Sequence, residues 1–166
     1  MSNNILSCQD LFKKAMAKFP TGVAITTTTH QNKPYGLTTS SFVSLSIDPL
    51  LVSVAIKNDS YICDIFKNTR VLNFNILTED QQNISNDFAT LSIDKRFDNI
   101  CYSNSNTNGC PIINNSLFVF EAIKNNVVSA GDHSIFIAEV KNIVLSDDVR
   151  PLVYFDRGYY SLSSNS

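Results

Sequence analysis

The chain has five glycines in 166 residues, and none falls in a G-x-G-x-x-G or G-x-x-x-x-G-K-[ST] pattern. A Rossmann or Walker loop for a nucleotide is therefore excluded. No apolar run approaches the ~18 residues of a membrane-crossing helix. The opening MSNNILSCQDLFKK lacks the basic-then-apolar order of a secretory signal, so the expected compartment is cytoplasmic. Basic residues are not in excess: 13 lysines and arginines face 15 acids, a net charge of −2. A general nucleic-acid binder is thereby disfavoured. The four cysteines, Cys8, Cys63, Cys101 and Cys110, form no C-x-x-C pair, and only His30 and His133 stand beside them. A four-ligand metal site is hard to assemble from that set, and the cysteines read as reduced thiols.

What is present suits one globular domain over residues 1–166, with a core at about 10–162. Hydrophobic residues make up 43% and charged residues 17%, and mean hydropathy is −0.02. A chain of this length buries roughly 68–70% of its unfolded surface and needs no covalent staples. Asp10 is placed to cap a helix with Leu11, Phe12, Ala15, Met16 and Phe19 on one face, and Pro20 stops it. From Gly22 the β-branched run VAITTTT predicts a strand. Residues 35–46 and 50–57 predict two more, split by Asp48-Pro49, and a short helix opens at Asp59-Ser60 with Ile62, Ile65 and Phe66. Residues 70–77 alternate Leu72, Phe74 and Ile76 against Asn73 and Asn75. Thr78 with Gln81 makes a capping box for a helix running to about Phe88. A polar loop at 103–109 precedes strands near 117–123, 133–145, 151–155 and 159–162. Seven or eight strands with three short helices, not regularly alternating, predict a mainly β, α+β fold: an antiparallel barrel with helical inserts.

Three places could carry chemistry. Thr38-Thr39-Ser40-Ser41 is a dense hydroxyl cluster after Gly36. Hydroxyls and backbone N–H groups can hold a phosphate without a glycine-rich loop, although serine- and threonine-rich strands also lie at plain solvent faces. Lys57-Asn58-Asp59-Ser60 sets a lysine at a strand end and a serine at a helix N-terminus, a combination that suits an anion. Those residues equally suit a simple N-cap and a solvated lysine. Gly131-Asp132-His133 precedes an apolar strand; His133 could donate to a carboxamide or phosphate, or the three could form an ordinary turn.

Read in order, these pieces resemble the short-chain flavin reductase family, whose domain is the FMN-binding split barrel. Phe19-Pro20-Thr21-Gly22-Val23 resembles its opening. Gly36 through Pro49 matches G-x-T-x-S-S-F-x-S-x-S-x-D-P, with Thr38, Ser40, Ser41, Phe42, Ser44, Ser46 and Asp48 in place. Lys57 and Ser60, Phe74-Asn75-Ile76-Leu77, Gln81, Phe88-Ala89, Arg96-Phe97, Gly109-Cys110-Pro111, Gly131-Asp132-His133 and 151–155 follow. Two departures stand out: Leu50 replaces a second proline, and Asp156-Arg157-Gly158-Tyr159 stands where a glycine-rich loop is frequent.

The resemblance implies a homodimeric, Greek-key split barrel that reduces flavin (FMN, or FAD or riboflavin) with NADH or NADPH. It also implies a separate flavin-dependent monooxygenase as consumer of the reduced flavin. By position, Thr21, Gly22 and Val23 would lie along the isoalloxazine. Thr38, Thr39, Ser40 and Ser41 would meet the ring edge or ribityl chain. Lys57 and Ser60 would hold the phosphate. Phe88, Ala89 and Arg96 would close the cofactor side, and His133, Tyr154 and Tyr159 would meet the nicotinamide nucleotide. No catalytic side chain is required, because the flavin carries the hydride chemistry. The alternatives are an FMN-binding electron-transfer or redox-sensor protein without NAD(P)H turnover, and a split-barrel module that has lost flavin.

Overall fold

The computed structural model describes residues 6–146 and 150–162. In chain order the elements are α1 (Cys8–Ala17), β1 (Thr21–Gly22), β2 (Ala24–His30), β3 (Lys33–Thr39), β4 (Val43–Ile47), β5 (Leu50–Lys57), α2 (Tyr61–Asn68), β6 (Val71–Ile76), α3 (Gln82–Thr90), β7 (Tyr102–Asn104), β8 (Pro111–Ile113), β9 (Phe118–Ala130), β10 (His133–Leu145), β11 (Val153–Phe155) and β12 (Gly158–Tyr160). Two single-turn 3-10 helices lie at Glu79–Gln81 and Ile93–Lys95.

Seven strands form one antiparallel sheet in the order β3-β2-β6-β9-β10-β5-β4. The expected fold class is thus the observed one, a mainly antiparallel β architecture with three α-helices. Its inner face packs Val54, Ile56, Phe66, Leu72, Phe74 and Phe136 into one apolar cluster. Fully burying a side chain of this size contributes about 1.5–3 kcal/mol. Leu72 and Phe74 of β6 face it, as the alternation predicts.

The opposite face of β6 is buried as well. Asn75 donates Nδ2 to Ile25 O (3.0 Å) and accepts from the Ile113 amide at Oδ1 (2.8 Å). Asn73 donates Nδ2 to Cys110 O (3.3 Å), and Thr27 donates its hydroxyl to Pro111 O (2.6 Å). These polar side chains clip the segment around Gly109–Ile113 onto the sheet, and each is satisfied, as burial demands. Burial pushes the pKa of the Cys110 thiol, within this strap, up to about 11.

Several boundaries differ from expectation. Ser7, not Asp10, is the N-cap of α1; Asp10 closes a capping box from the third helical position. The apolar face of α1 buries no residue, and Phe12 and Phe19 are 66% and 64% exposed. The strand expected over 35–46 is two strands separated by Ser40-Ser41-Phe42. The reason is topological: β3 pairs with β2 and β4 with β5, so the chain must cross between the sheet's two edges there. Strand pieces of two or three residues raise the total above the seven or eight expected, because short hairpins carry too few residues to show a period.

A second cluster, with Val23, Ile25, Leu77, Phe88, Ile113 and Leu152, lies under α3. Gly36 is the contact that permits it: a Cβ there would come within 2.6 Å of the Phe88 ring. Gly36→Ala should therefore destabilise the protein by about 1–3 kcal/mol through overpacking. Urea unfolding checks this, and pairing it with Phe88→Leu should recover part of the loss. An unchanged midpoint for Gly36→Ala would mean that the contact is not tight.

Candidate functional site

The site is a gap in the barrel. β3, which leads into the crossing segment, and β5 approach each other, yet they share no strand pairing. β4 covers the edge of β5 only as far as Ser53. Beyond it, Ser41 substitutes for a strand: its hydroxyl accepts from Ala55 N (2.9 Å) and donates to Ala55 O (3.2 Å). That leaves a groove between β3 and the Lys57 end of β5.

At one end of this groove is a cavity of about 880 Å³, walled by Thr21, Gly22, Ser40, Ser41, Phe42 and Tyr154. Phe12 and Met16 of α1 form its outer wall. A smaller cavity of about 200 Å³ adjoins it through the shared Ser40 and Tyr154, and is lined by Val23, Thr38, Ser85, Ala89 and Tyr159. Strands β1 and β11 hold Thr21 opposite Tyr154. The turn after β11 places Asp156 and Arg157 in the left-handed region, with φ of 46° and 64°. An ion pair from Lys18 to Asp156 (2.5 Å) and a hydrogen bond from Asp156 N to Ala17 O (2.7 Å) fasten that turn to α1. So two non-glycine residues adopt a backbone conformation that usually costs energy, and the fastening holds them there.

The other end is built by register. His133 on β10 stands directly across from Lys57 on β5. The Asn58 amide donates to Asp132 O (2.9 Å), and Ser134 donates its hydroxyl to Asn58 Oδ1 (2.6 Å). Lys57 Nζ pairs with Asp59 (2.6 Å); this hydrogen bond and the charge beside it raise the lysine's pKa above its ordinary value. His133 Nδ1 bonds Asp132 Oδ1 (2.7 Å), and that bond holds the Asp132 carboxyl below the usual range. Ser60 precedes α2 but makes no side-chain cap bond to it; its hydroxyl donates to Lys57 O (2.7 Å). The start of α1 and the turn before α3 are closed by capping boxes. The first-turn N–H groups of α2 receive no such side-chain cap.

The expected residues therefore fall into groups. Thr21, Gly22, Val23, Thr38, Ser40, Ser41, Ala89, Tyr154 and Tyr159 wall the joined cavities. Lys57, Ser60 and His133 gather at the strand end, so His133 is on the lysine side and apart from the two tyrosines. Thr38 donates to Ser85 O (2.6 Å), and Tyr159 OH meets Ser85 Oγ (2.8 Å). Thr39 is spent inside the sheet on Thr26 and Ala24 O. Phe88 is fully buried, edge-on to Phe97 at 4.9 Å. It supports the wall from behind and presents no surface. Arg96 donates to Gly36 O (2.8 Å) and Leu91 O (3.1 Å), tying the segment after α3 to β3. Burial lowers its pKa from the ordinary value. Sequence reasoning did not find Phe12, Met16, Ser85 or Arg157, which enter through packing and carry no motif of their own.

Two observations bear on whether a flavin fits. Thr21 Oγ1 is the one buried side-chain oxygen or nitrogen without a partner among the described residues. A Cβ on Gly22 would meet nothing within 4 Å, so this wall is open on the cavity side. An unpaired hydroxyl beside an apolar, aromatic-edged cavity suits a planar heterocycle with polar edges.

The flavin reductase like domain model matches residues 16–163, and the chain belongs to that family. It is 34% identical to the reductase component of the flavin-dependent trigonelline monooxygenase of Acinetobacter baylyi, over 93% of this chain and 49% of that protein. It is 30% identical to the 4-hydroxyphenylacetate 3-monooxygenase reductase component of Salmonella typhimurium, over 90% of this chain and 89% of that one. The chain thus spans about half of the first relative and most of the second. Among solved structures, the flavin reductase HpaC complexed with NADP+ superposes with a TM-score of 0.87 at 35% identity, covering 95% of this chain and 99% of that one.

Thr21→Val isolates the unpaired hydroxyl. Removing a buried, unsatisfied polar group is close to neutral or mildly stabilising. The variant should melt at or above the wild-type temperature and bind FMN several-fold more weakly, read by flavin fluorescence quenching. A lower melting temperature with unchanged FMN affinity would show that the hydroxyl serves the fold instead.

Proposed function

We propose that this chain is an NAD(P)H-dependent flavin reductase, which hands reduced flavin to a separate monooxygenase. The observation that supports this most is the groove left by the unpaired β3 and β5 edges. It has an aromatic-edged cavity at one end and a lysine beside an uncapped helix start at the other. A flavin mononucleotide has the same polarity, a flat ring at one end and a dianion at the other. Both relatives named above are reductase components of monooxygenases, which supports the partner reading.

Bound flavin would accept hydride at its ring from the nicotinamide. The residues of this chain bind and orient. Thr21, Gly22 and Val23 would lie along the ring, with Ser40 and Ser41 at its edge. Thr38 and Ala89 would line the ribityl side, backed by Phe88 and by Arg96. Lys57 has donors to spare, since Asp59 takes one of three. With the first-turn N–H groups of α2 it would hold the phosphate, and Ser60 would turn its hydroxyl from Lys57 O to join them. His133, with its second ring nitrogen free of the Asp132 bond, would meet the nicotinamide nucleotide on the lysine side. Tyr154 and Tyr159 would bound it on the other. Holding two rings with reacting atoms ~3–3.5 Å apart is what speeds such a step.

A second copy of the chain is expected on the β4 edge, where Val43, Ile47 and Leu50 are 51%, 87% and 43% exposed. This apolar strip borders the crossing segment, so a homodimer would also shelter the groove.

The test is flavin bleaching. Purified protein with FMN should lose the flavin's visible absorbance on addition of NADH or NADPH, far faster than without protein. FMN binding without bleaching would favour the electron-transfer or sensor alternative. Lys57→Ala should weaken FMN about tenfold or more and leave riboflavin, which has no phosphate, unchanged. Equal loss for both ligands would remove Lys57 from the phosphate site.

A further inference from the structure

The smaller cavity, of about 200 Å³, is closed mainly by hydroxyls: Thr38, Ser40, Ser85, Tyr154 and Tyr159 all line it, and no charged side chain does. Ser85 links two of them. On α3 it is buried with Phe88 and exposes no surface. Its carbonyl accepts from Thr38 Oγ1 of β3 (2.6 Å), and its hydroxyl meets Tyr159 OH of β12 (2.8 Å). One helical residue thus ties two walls of the cavity to each other. Tyr159 stands across the β11–β12 hairpin from Tyr154, with ring centroids 5.3 Å apart.

The Ser85 and Tyr159 hydroxyls own two protons, and the bond between them uses one. Among the described residues neither oxygen has another hydrogen-bond partner. Were Tyr159 the donor, the serine proton would be left without an acceptor in the interior, which is costly. With Ser85 as donor, the proton left over is the tyrosine's, on a half-buried side chain at the cavity wall. Burial therefore selects Ser85 as the donor and frees the Tyr159 proton for a ligand. Thr38 is fixed in the opposite sense: its proton goes to Ser85 O, so it offers a ligand only lone pairs. Resting on the flavin reading above, we propose that Ser85 is a positioning residue that sets this polarity, holding Tyr159 as donor and Thr38 as acceptor toward one uncharged group of the ligand. Such a group carries an acceptor beside a donor, as a carboxamide or a hydroxyl does. A carboxylate or phosphate would leave Thr38 unmatched. Two sources have the right chemistry, the carboxamide of the nicotinamide and the polar groups of the flavin.

The experiment uses the full-length protein, the variants Ser85→Ala and Tyr159→Phe, and the double variant. Alanine favours the helix and phenylalanine keeps the ring, so both changes suit the fold. FMN affinity is read by fluorescence quenching. KM and kcat are measured at saturating FMN with NADH or NADPH, whichever reduces the flavin, and melting temperatures are recorded alongside. Loss of one hydrogen bond to a neutral group should cost about threefold to tenfold. If the group belongs to the nicotinamide, each single variant raises KM for the dinucleotide, or lowers kcat, by that factor and leaves FMN affinity unchanged. If it belongs to the flavin, each weakens FMN by that factor. In either case the double variant loses no more than the worse single, because both changes disable the same donor. Either pattern supports the assignment. Losses that multiply in the double variant would overturn it. So would wild-type ligand parameters in Ser85→Ala, whatever its melting temperature; both results leave the flavin reading standing. If the wild-type chain binds no FMN, the flavin reading itself fails and this proposal falls with it.

Discussion

The arrangement depends on one unfilled pairing. A seven-stranded antiparallel sheet curls until its edge strand β3 comes up against β5, but the ladder is never completed. An open strand edge exposes backbone donors and acceptors, which proteins must cover or use. Here a single hydroxyl covers part of it: Ser41 satisfies both polar groups of Ala55. Everything proposed for the site sits along the remainder of that seam. Completing the β3–β5 ladder would give a tidier barrel and no groove.

The packing around the seam is arranged to keep it open. Gly36 lets the Phe88 ring approach β3 closely, and Arg96 ties the same strand through Gly36 O. On the inner face Phe42 packs beside Phe74 and Phe120, at ring separations of 5.5 and 6.0 Å. That anchors the crossing segment while its neighbour Ser40 faces both cavities. The buried asparagines of β6 hold the strap on the opposite face, away from the groove.

Much of this was legible in the residues because local chemistry and fold agree there. The β-branched run at 23–28, the Thr78–Gln81 capping box and the Ile62, Ile65 and Phe66 spacing of α2 each specify their element without help. The break at 40–42 was not legible: the serines and apolar residues that alternate after it make 35–46 look like continuous strand, and only the sheet order forces the crossing. The fate of individual side chains was hidden for a similar reason. Thr39 and Phe88 belong to site-like motifs, yet tertiary packing turns one into the sheet and the other into the core. The resemblance groups His133 with two tyrosines, and only the β5–β10 register sets it opposite Lys57.

Hydrogen exchange with and without saturating FMN tests the central claim most directly, because it reports where the ligand sits. The account predicts slowed exchange in two separate segments, residues 38–42 and 55–62, which face each other across the seam. The far ends of β9 and β10, at 118–123 and 139–145, should be unaffected. FMN binding accompanied by protection of those far ends, or by none within the two facing segments, would contradict it.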